Sequence, residues 1–254
     1  MIENTIVEKL HQITEQHHVK LLYACETGSR GWGFASPDSD YDIRFIYAHP
    51  QKKYLSISDF KDTIELMTTE EGGEVLDFSG WDIRKVLQHI KRSNATMFEW
   101  LQSPIEYFNA YQLKQDLWTL AQPYFAPQTA INHYLGIMHS TQKTSIVDNH
   151  IKIKKYFYIL RPLLATMWAT KYQTPPPIQF KHLLPLVDDE VVLQKISQLF
   201  IEKETADEGF VIPIIPEIQA FVQVKQQECR IAASQMSLPV VNAEPLNKYF
   251  RQML

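Results

Sequence analysis

The residues best suited to chemistry stand in one stretch: Gly28-Ser29-Arg30-Gly31-Trp32-Gly33-Phe34, then Ser39-Asp40-Tyr41-Asp42-Ile43-Arg44. Asp40 and Asp42 are two apart, so in a strand both carboxylates point to one side. Paired carboxylates repel each other unless a cation lies between them. Hard oxygen ligands of this kind suit Mg²⁺ (or Mn²⁺) shared with substrate phosphates. Gly28, Gly31 and Gly33 leave the backbone without Cβ atoms, so a ligand can come close. The N–H groups of Gly28 and Ser29, near a helix start, suit phosphate oxygens. The Ser29 hydroxyl adds a donor, and Arg30 offers a bidentate contact to an oxyanion. The plain alternative is a turn-rich loop with a solvated acidic tip at Pro37-Asp38-Ser39. It leaves unexplained why a Gly-Ser element precedes an acidic pair with a strand on each side.

The elements that must position these residues follow from periodicity. Val19 to Cys25 is an apolar run that predicts a buried strand ending at Glu26-Thr27-Gly28. Residues 29 to 34 predict a helical turn and Tyr41 to Tyr47 a second strand. In that strand Tyr41, Ile43, Phe45 and Tyr47 share one face, while Asp40, Asp42, Arg44 and Ile46 share the other. Two strands joined this way place the glycines beside the carboxylates. Glu74 to Ser79 predicts a third strand, with Val75, Asp77 and Ser79 opposed to Glu74, Leu76 and Phe78. Asp82 precedes the amphipathic run Ile83 to Ile90 and reads as an N-cap.

Ile6, Leu10 and Ile13 predict a first helix over 3 to 16. Tyr54 to Ile57 and Ile64 to Thr68 read as short edge elements, and Ile105 to Phe108 as a further strand. Arg84, Lys85, Lys91 and Arg92 form one basic side of a helix over 83 to 93. Beyond residue 109 the pattern is helical over 109–121, 128–147, 151–171, 179–185, 189–204, 214–233 and 244–252. The expected fold class is α+β. A small mixed β-sheet core with flanking helices spans 1–108, and a mostly helical domain spans 109–254.

A chain of 254 residues suits one large domain or two small ones. Hydrophobic content of 45% and charged content of 21% fit a soluble globular protein. The net charge of -4 gives no global footprint for nucleic acid, so any such contact must be local. A local source exists in Ile151 to Met167, which carries Lys152, Lys154, Lys155 and Arg161 beside an apolar face. Pro162 predicts a kink there, and Lys155 and Arg161 are the expected triphosphate or acceptor contacts. Cys25 and Cys229 have no metal or redox spacing, which suits a reducing cytoplasm. His17-His18 and the pair His133 and His139 are wrongly spaced for a shared metal. No apolar run approaches a membrane span and the first residues lack a signal pattern, so no membrane partner is expected.

Gly-Ser, a short helix, then Asp-x-Asp resembles the signature of the DNA-polymerase-beta-type nucleotidyltransferase superfamily. The wording of Glu26 to Phe34, Ser39 to Arg44, Gly80-Trp81-Asp82-Ile83-Arg84-Lys85, Glu99 to Pro104 and Lys154 to Leu164 is closer still. It resembles the RNA-ligase-associated (RlaP-type) nucleotidyltransferases over most of residues 20 to 175. The resemblance implies transfer of a nucleoside monophosphate from a nucleoside triphosphate to an acceptor hydroxyl, on an RNA end or a protein, with release of pyrophosphate. It implies Asp40 and Asp42 as ligands of two Mg²⁺ (or Mn²⁺) ions. A third acid on the neighbouring strand, Asp77 with Asp82 as its rival, would hold the ion that activates the attacking hydroxyl. Gly28, Ser29 and Arg30 would contact the nucleotide. Glu26 enters only through the resemblance, as an acid that would orient Arg30 or Arg44. The alternative function is a non-catalytic nucleotide- or RNA-binding module, antitoxin-like, in which the acids bind without turnover.

Overall fold

The computed structural model describes residues 2–205 and 209–254. In chain order the elements are α1 (Ile2–Gln16), β1 (Lys20–Glu26), α2 (Gly28–Trp32), β2 (Tyr41–Ala48), α3 (Gln51–Tyr54), β3 (Thr63–Thr69) and β4 (Val75–Asp82). There follow α4 (Ile83–Lys91), α5 (Ala95–Trp100), β5 (Glu106–Asn109), α6 (Leu113–Ala121), α7 (Pro127–Ser145), β6 (His150–Lys152) and α8 (Ile153–Tyr172). The chain ends with α9 (Glu190–Thr205), β7 (Val211–Pro213), α10 (Pro216–Ser234) and α11 (Glu244–Met253). The fold is α+β, as the periodicity predicts.

Two compact units are present, one of residues up to Gly31, Asp40–Tyr124 and Val240–Leu254, the other of Trp32–Ser39 and Phe125–Pro239. This partition differs from a single division after residue 108. The helix after β5 stays with the sheet, α11 returns to it, and the segment after the Gly-Ser turn belongs to the helical unit. There Phe34 stacks on Phe157 at 5.1 Å and Trp32 meets Tyr158 edge-on at 5.2 Å.

The first unit is built on a five-stranded mixed sheet in the order β3-β4-β2-β1-β5. β1 runs antiparallel to β2, and β2 runs parallel to β4 with Asp42 opposite Asp77 and Arg44 opposite Ser79. The period of two along the strands sends Ile43, Phe45 and Tyr47, and likewise Leu76 and Phe78, to one face. There they meet Ile6, Leu10 and Ile13, the apolar stripe of α1, with all eight buried. A Cβ on Gly80 would lie 2.2 Å from the ring of Phe45, so the ring crosses β4 where only glycine leaves room. Truncating such a ring, as in Phe45→Ala, costs about 3–5 kcal/mol.

Several expectations are corrected. Tyr54 to Ile57 forms no edge strand: α3 ends at Tyr54, whose hydroxyl donates to Asp82 at 2.7 Å and accepts the His49 N–H at 2.9 Å. That inward anchor leaves Leu55 and Ile57 exposed. α6 begins only at Leu113, because Tyr111 and Gln112 adopt left-handed φ values of 54° and 57°. The expected helix over 151–171 is preceded by β6, which pairs antiparallel with β7. Strands of three residues are too short to show a period. Residues 179–185 form two 3-10 turns, Phe180–His182 and Leu184–Leu186. No helix among the described residues is long and apolar enough to cross a membrane.

Candidate active site

The site grows from the turn between β1 and β2. The Thr27 N–H donates to the Asp42 carbonyl at 2.9 Å and the Thr27 hydroxyl reaches the same oxygen at 3.1 Å. The Gly31 N–H closes the turn on the Thr27 carbonyl at 3.0 Å. Gly28 has φ +56°, and a Cβ there would sit 1.8 Å from Asp42 Oδ2. Both its conformation and its contact therefore require glycine. The Asp42 carboxylate lies directly against the Gly-Ser turn.

Asp42 is also held from behind. Its N–H donates to Glu26 Oε1 at 2.7 Å, and Tyr107 donates its hydroxyl to Glu26 Oε2 at 2.5 Å. Glu26 is fully buried. Burial pushes its carboxyl up to about 7, against the pull of the Tyr107 and Asp42 hydrogen bonds. Burial and the neighbouring Glu26 likewise raise the Tyr107 hydroxyl. Glu26 is hydrogen-bonded to the backbone of Asp42 and to the Tyr107 hydroxyl, and the Arg30 charge acts on its carboxyl as well.

On the open face of the sheet, Asp42 and Asp77 share one guanidinium. Arg44 Nη2 donates to Asp42 Oδ1 at 2.7 Å and to Asp77 Oδ2 at 2.9 Å, and Nη1 donates to the Asp77 carbonyl at 3.1 Å. The two carboxylate side chains are 26% and 32% exposed. A cavity of about 460 Å³ adjoins the pair, lined by Arg44, Asp77, Glu65, Met67, Ser79 and Trp81 among others.

The remaining expected residues lie as follows. Asp40 is exposed and immediately precedes β2, which starts at Tyr41. Its carbonyl accepts Arg30 Nε at 3.2 Å. Among the described residues no three His, Cys, Asp or Glu side chains gather as a metal-binding group. The structure brings Asp42 and Asp77 together and does not gather Asp40 with them. Ser29 is buried, and the Arg30 guanidinium stacks 3.7 Å from the centre of the Tyr41 ring. Asp82 is fully buried, accepting the Arg84 N–H at 2.8 Å and the Tyr54 hydroxyl at 2.7 Å.

Two cations belong to the second unit. Lys155 stands in the first turn of α8, with its ammonium 5.1 Å from the Tyr158 ring centre. Arg161 is 1% exposed, against the expectation of a cation aimed into a cleft. It packs on the rings of Trp32 at 4.9 Å and Tyr134 at 5.5 Å.

Sequence reasoning missed two residues. Arg44 shares a strand face with Asp42, which alternation already signalled. Tyr107 carried no signal, because its bond to Glu26 spans 81 positions.

Known proteins resemble this chain over most of its length. The chain is 36% identical over 236 residues to the uncharacterized protein YcgL of Bacillus subtilis (strain 168), covering 92% of this chain and 89% of that protein. A nucleotidyltransferase-like protein from Exiguobacterium sibiricum 255-15 matches in structure with a TM-score of 0.35 and 9% identity, over 90% of this chain and 74% of the other. A model of the RlaP family matches residues 2–252, and the chain therefore belongs to this RNA repair pathway DNA polymerase beta family.

Proposed function

We propose that this protein is a divalent-cation-dependent nucleotidyltransferase. It moves a nucleoside monophosphate from a nucleoside triphosphate to an acceptor hydroxyl and releases pyrophosphate. The observation that carries the reading is the juxtaposition of Asp42 and Asp77 across β2 and β4, with Asp42 packed on Gly28. Two carboxylates at -1 each against one guanidinium at +1 leave a net charge of -1. Partly exposed oxygen donors with residual negative charge fit Mg²⁺ or Mn²⁺. Asp42 and Asp77 would hold the ion, and Asp40, exposed at the head of β2, is the next candidate ligand. When bound, such an ion stabilises charge on the attacking and leaving oxygens.

The chain's own groups supply the rest. The Gly28–Ser29 turn offers N–H groups and a hydroxyl to phosphate oxygens. Arg30, fixed over Tyr41, offers charge to the leaving pyrophosphate. In-line displacement needs the acceptor and the leaving group on opposite sides of the reacting phosphate. Sheet order supports that arrangement. Gly28 follows β1 on one side of Asp42, while the cavity lined by Asp77 and Glu65 lies over β4 and β3 on the other. The family's description as an RNA repair pathway favours an RNA end over a protein side chain as acceptor. Two free, buried cysteines fit a reducing cytoplasm.

The test is incubation with each radiolabelled nucleoside triphosphate, Mg²⁺ and RNA ending in a 3′-hydroxyl, or a protein extract. Label should move to RNA with stoichiometric pyrophosphate, and Asp42→Asn should lower that transfer by about 10²–10³-fold. Nucleotide binding by calorimetry with no labelled product from any acceptor would replace this reading with a non-catalytic binding module.

A further inference from the structure

The second unit contains a cavity of about 370 Å³ whose polar lining is Thr144, Ser145, His150, Lys152 and Lys155, with Val147, Ile151 and Val211 as apolar wall. All five polar side chains are donors or cations, and no carboxylate stands among the described residues that line it. In a chain of net charge -4 this is a local reversal of sign, which favours an anion.

The cations are held by regular structure. Val147 and His150 bridge across a two-residue turn, with Asp148 at φ 49° and Asn149 at φ 59°. Two consecutive positive φ values mark the tight turn that matches strand twist. His150 Nδ1 lies 2.8 Å from the Asp148 carbonyl, which fixes the ring. Along β6 the burial alternates exposed, buried, exposed, so the side chains of His150 and Lys152 share one side of the strand and that of Ile151 is buried. Pairing of Lys152 with Val211, and of the Ile153 N–H with the Phe210 carbonyl at 3.0 Å, locks β6 and the start of α8 together. That lock brings Lys155 to the same cavity as Lys152.

We infer that this cavity binds a backbone phosphate of single-stranded RNA. Lys152 and Lys155 neutralise the phosphate, and Ser145 and Thr144 offer hydroxyls to its oxygens or to a ribose 2′-hydroxyl. Val147 is 64% and Val211 49% exposed, and Phe210 beside them in the chain is 48% exposed. That apolar surround suits the sugar and base flanking a phosphodiester better than a bare inorganic ion. The choice of RNA among phosphate carriers rests on the acceptor proposed above. The site itself rests on the cavity.

The test is fluorescence anisotropy of a short labelled single-stranded RNA with the full-length protein in EDTA, without triphosphate. Its outcome is therefore independent of nucleotidyl transfer, and Asp42→Asn should bind like the wild type. The Lys152→Gln/Lys155→Gln variant should bind about 10-fold more weakly at low salt. Its plot of log affinity against log salt should be shallower by about 1.4, at about 0.7 for each phosphate charge that a lysine no longer neutralises. Lys152→Arg/Lys155→Arg should restore binding, and equal melting temperatures exclude misfolding. Equal RNA affinity and salt slope in wild type and the glutamine variant would overturn the proposal. So would inorganic phosphate or a mononucleotide binding as tightly as the RNA.

Discussion

β4 carries two aspartates five positions apart, Asp77 and Asp82, and the two ends of the strand use them differently. An odd separation puts them on opposite faces. Asp82 is on the core side, fully buried, with the Tyr54 hydroxyl and the Arg84 N–H as its donors. Burial raises its carboxyl above the usual range. Asp77 is on the open side, faces a second carboxylate and shares Arg44 with it. Asp82 spends its bonding capacity on α3 and α4. Asp77 stands beside like charge at a cavity mouth, an arrangement that costs stability and suits a cation or a substrate.

The sharpest way to break this contrast is to remove each acid in turn. Asp42→Asn or Asp77→Asn should lower nucleotidyl transfer by about 10²–10³-fold, with the melting temperature almost unchanged. Pyrophosphate release and calorimetry check this, and a variant with wild-type turnover would erase the distinction. Glu26 lies between the two cases, since it is buried like Asp82 but adjoins Asp42. Its carboxyl is raised from 4.5 to about 7 in the folded state. Its contribution to stability is therefore fully present below about 4.5 and lost as pH rises through about 7. In metal-free buffer, wild type should lose up to about 3 kcal/mol more than Glu26→Gln between these limits, as denaturant titrations at several pH values would read.

Asp82→Ala should cost about 2–3 kcal/mol, from a lost cap and a buried hydroxyl left without its acceptor. Turnover per folded molecule should stay near wild type. Arg44→Gln should give the smallest change, about 1–2 kcal/mol without divalent ions, because the pair it bridges is partly solvated. Added Mg²⁺ should recover more melting temperature in this variant than in wild type. Equal Mg²⁺ shifts in both would show that Arg44 does not stand in for a cation.

Much of the site is legible in the order of residues. Alternation along β2 and β4 separates Asp42, Arg44 and Asp77 from the core residues Ile43, Phe45, Leu76 and Phe78. Asp82 reads as a cap because an amphipathic run follows it, and its Arg84 contact bears that out. Asp40 is harder to place, because the strand starts one residue after it and the Pro37–Ser39 turn governs what precedes. Arg161 shows the limit more plainly. A cation on a helix reads as exposed until its neighbours are known, and here they are the rings of Trp32 and Tyr134.

The amino-acid sequence alone determined which residues share a face, where helices begin and where the backbone must be glycine. These depend on dihedral preference and on periods of 2 and 3.6, which act between near neighbours. Tertiary structure alone decided that β2 lies beside β4 in a register joining Asp42 and Asp77 through Arg44. It also decided that Tyr107 closes on Glu26, and that β6 and β7 bring Lys152 and Lys155 to one cavity. Such pairings are chosen by the packing of distant segments against a common core, and no local period records them.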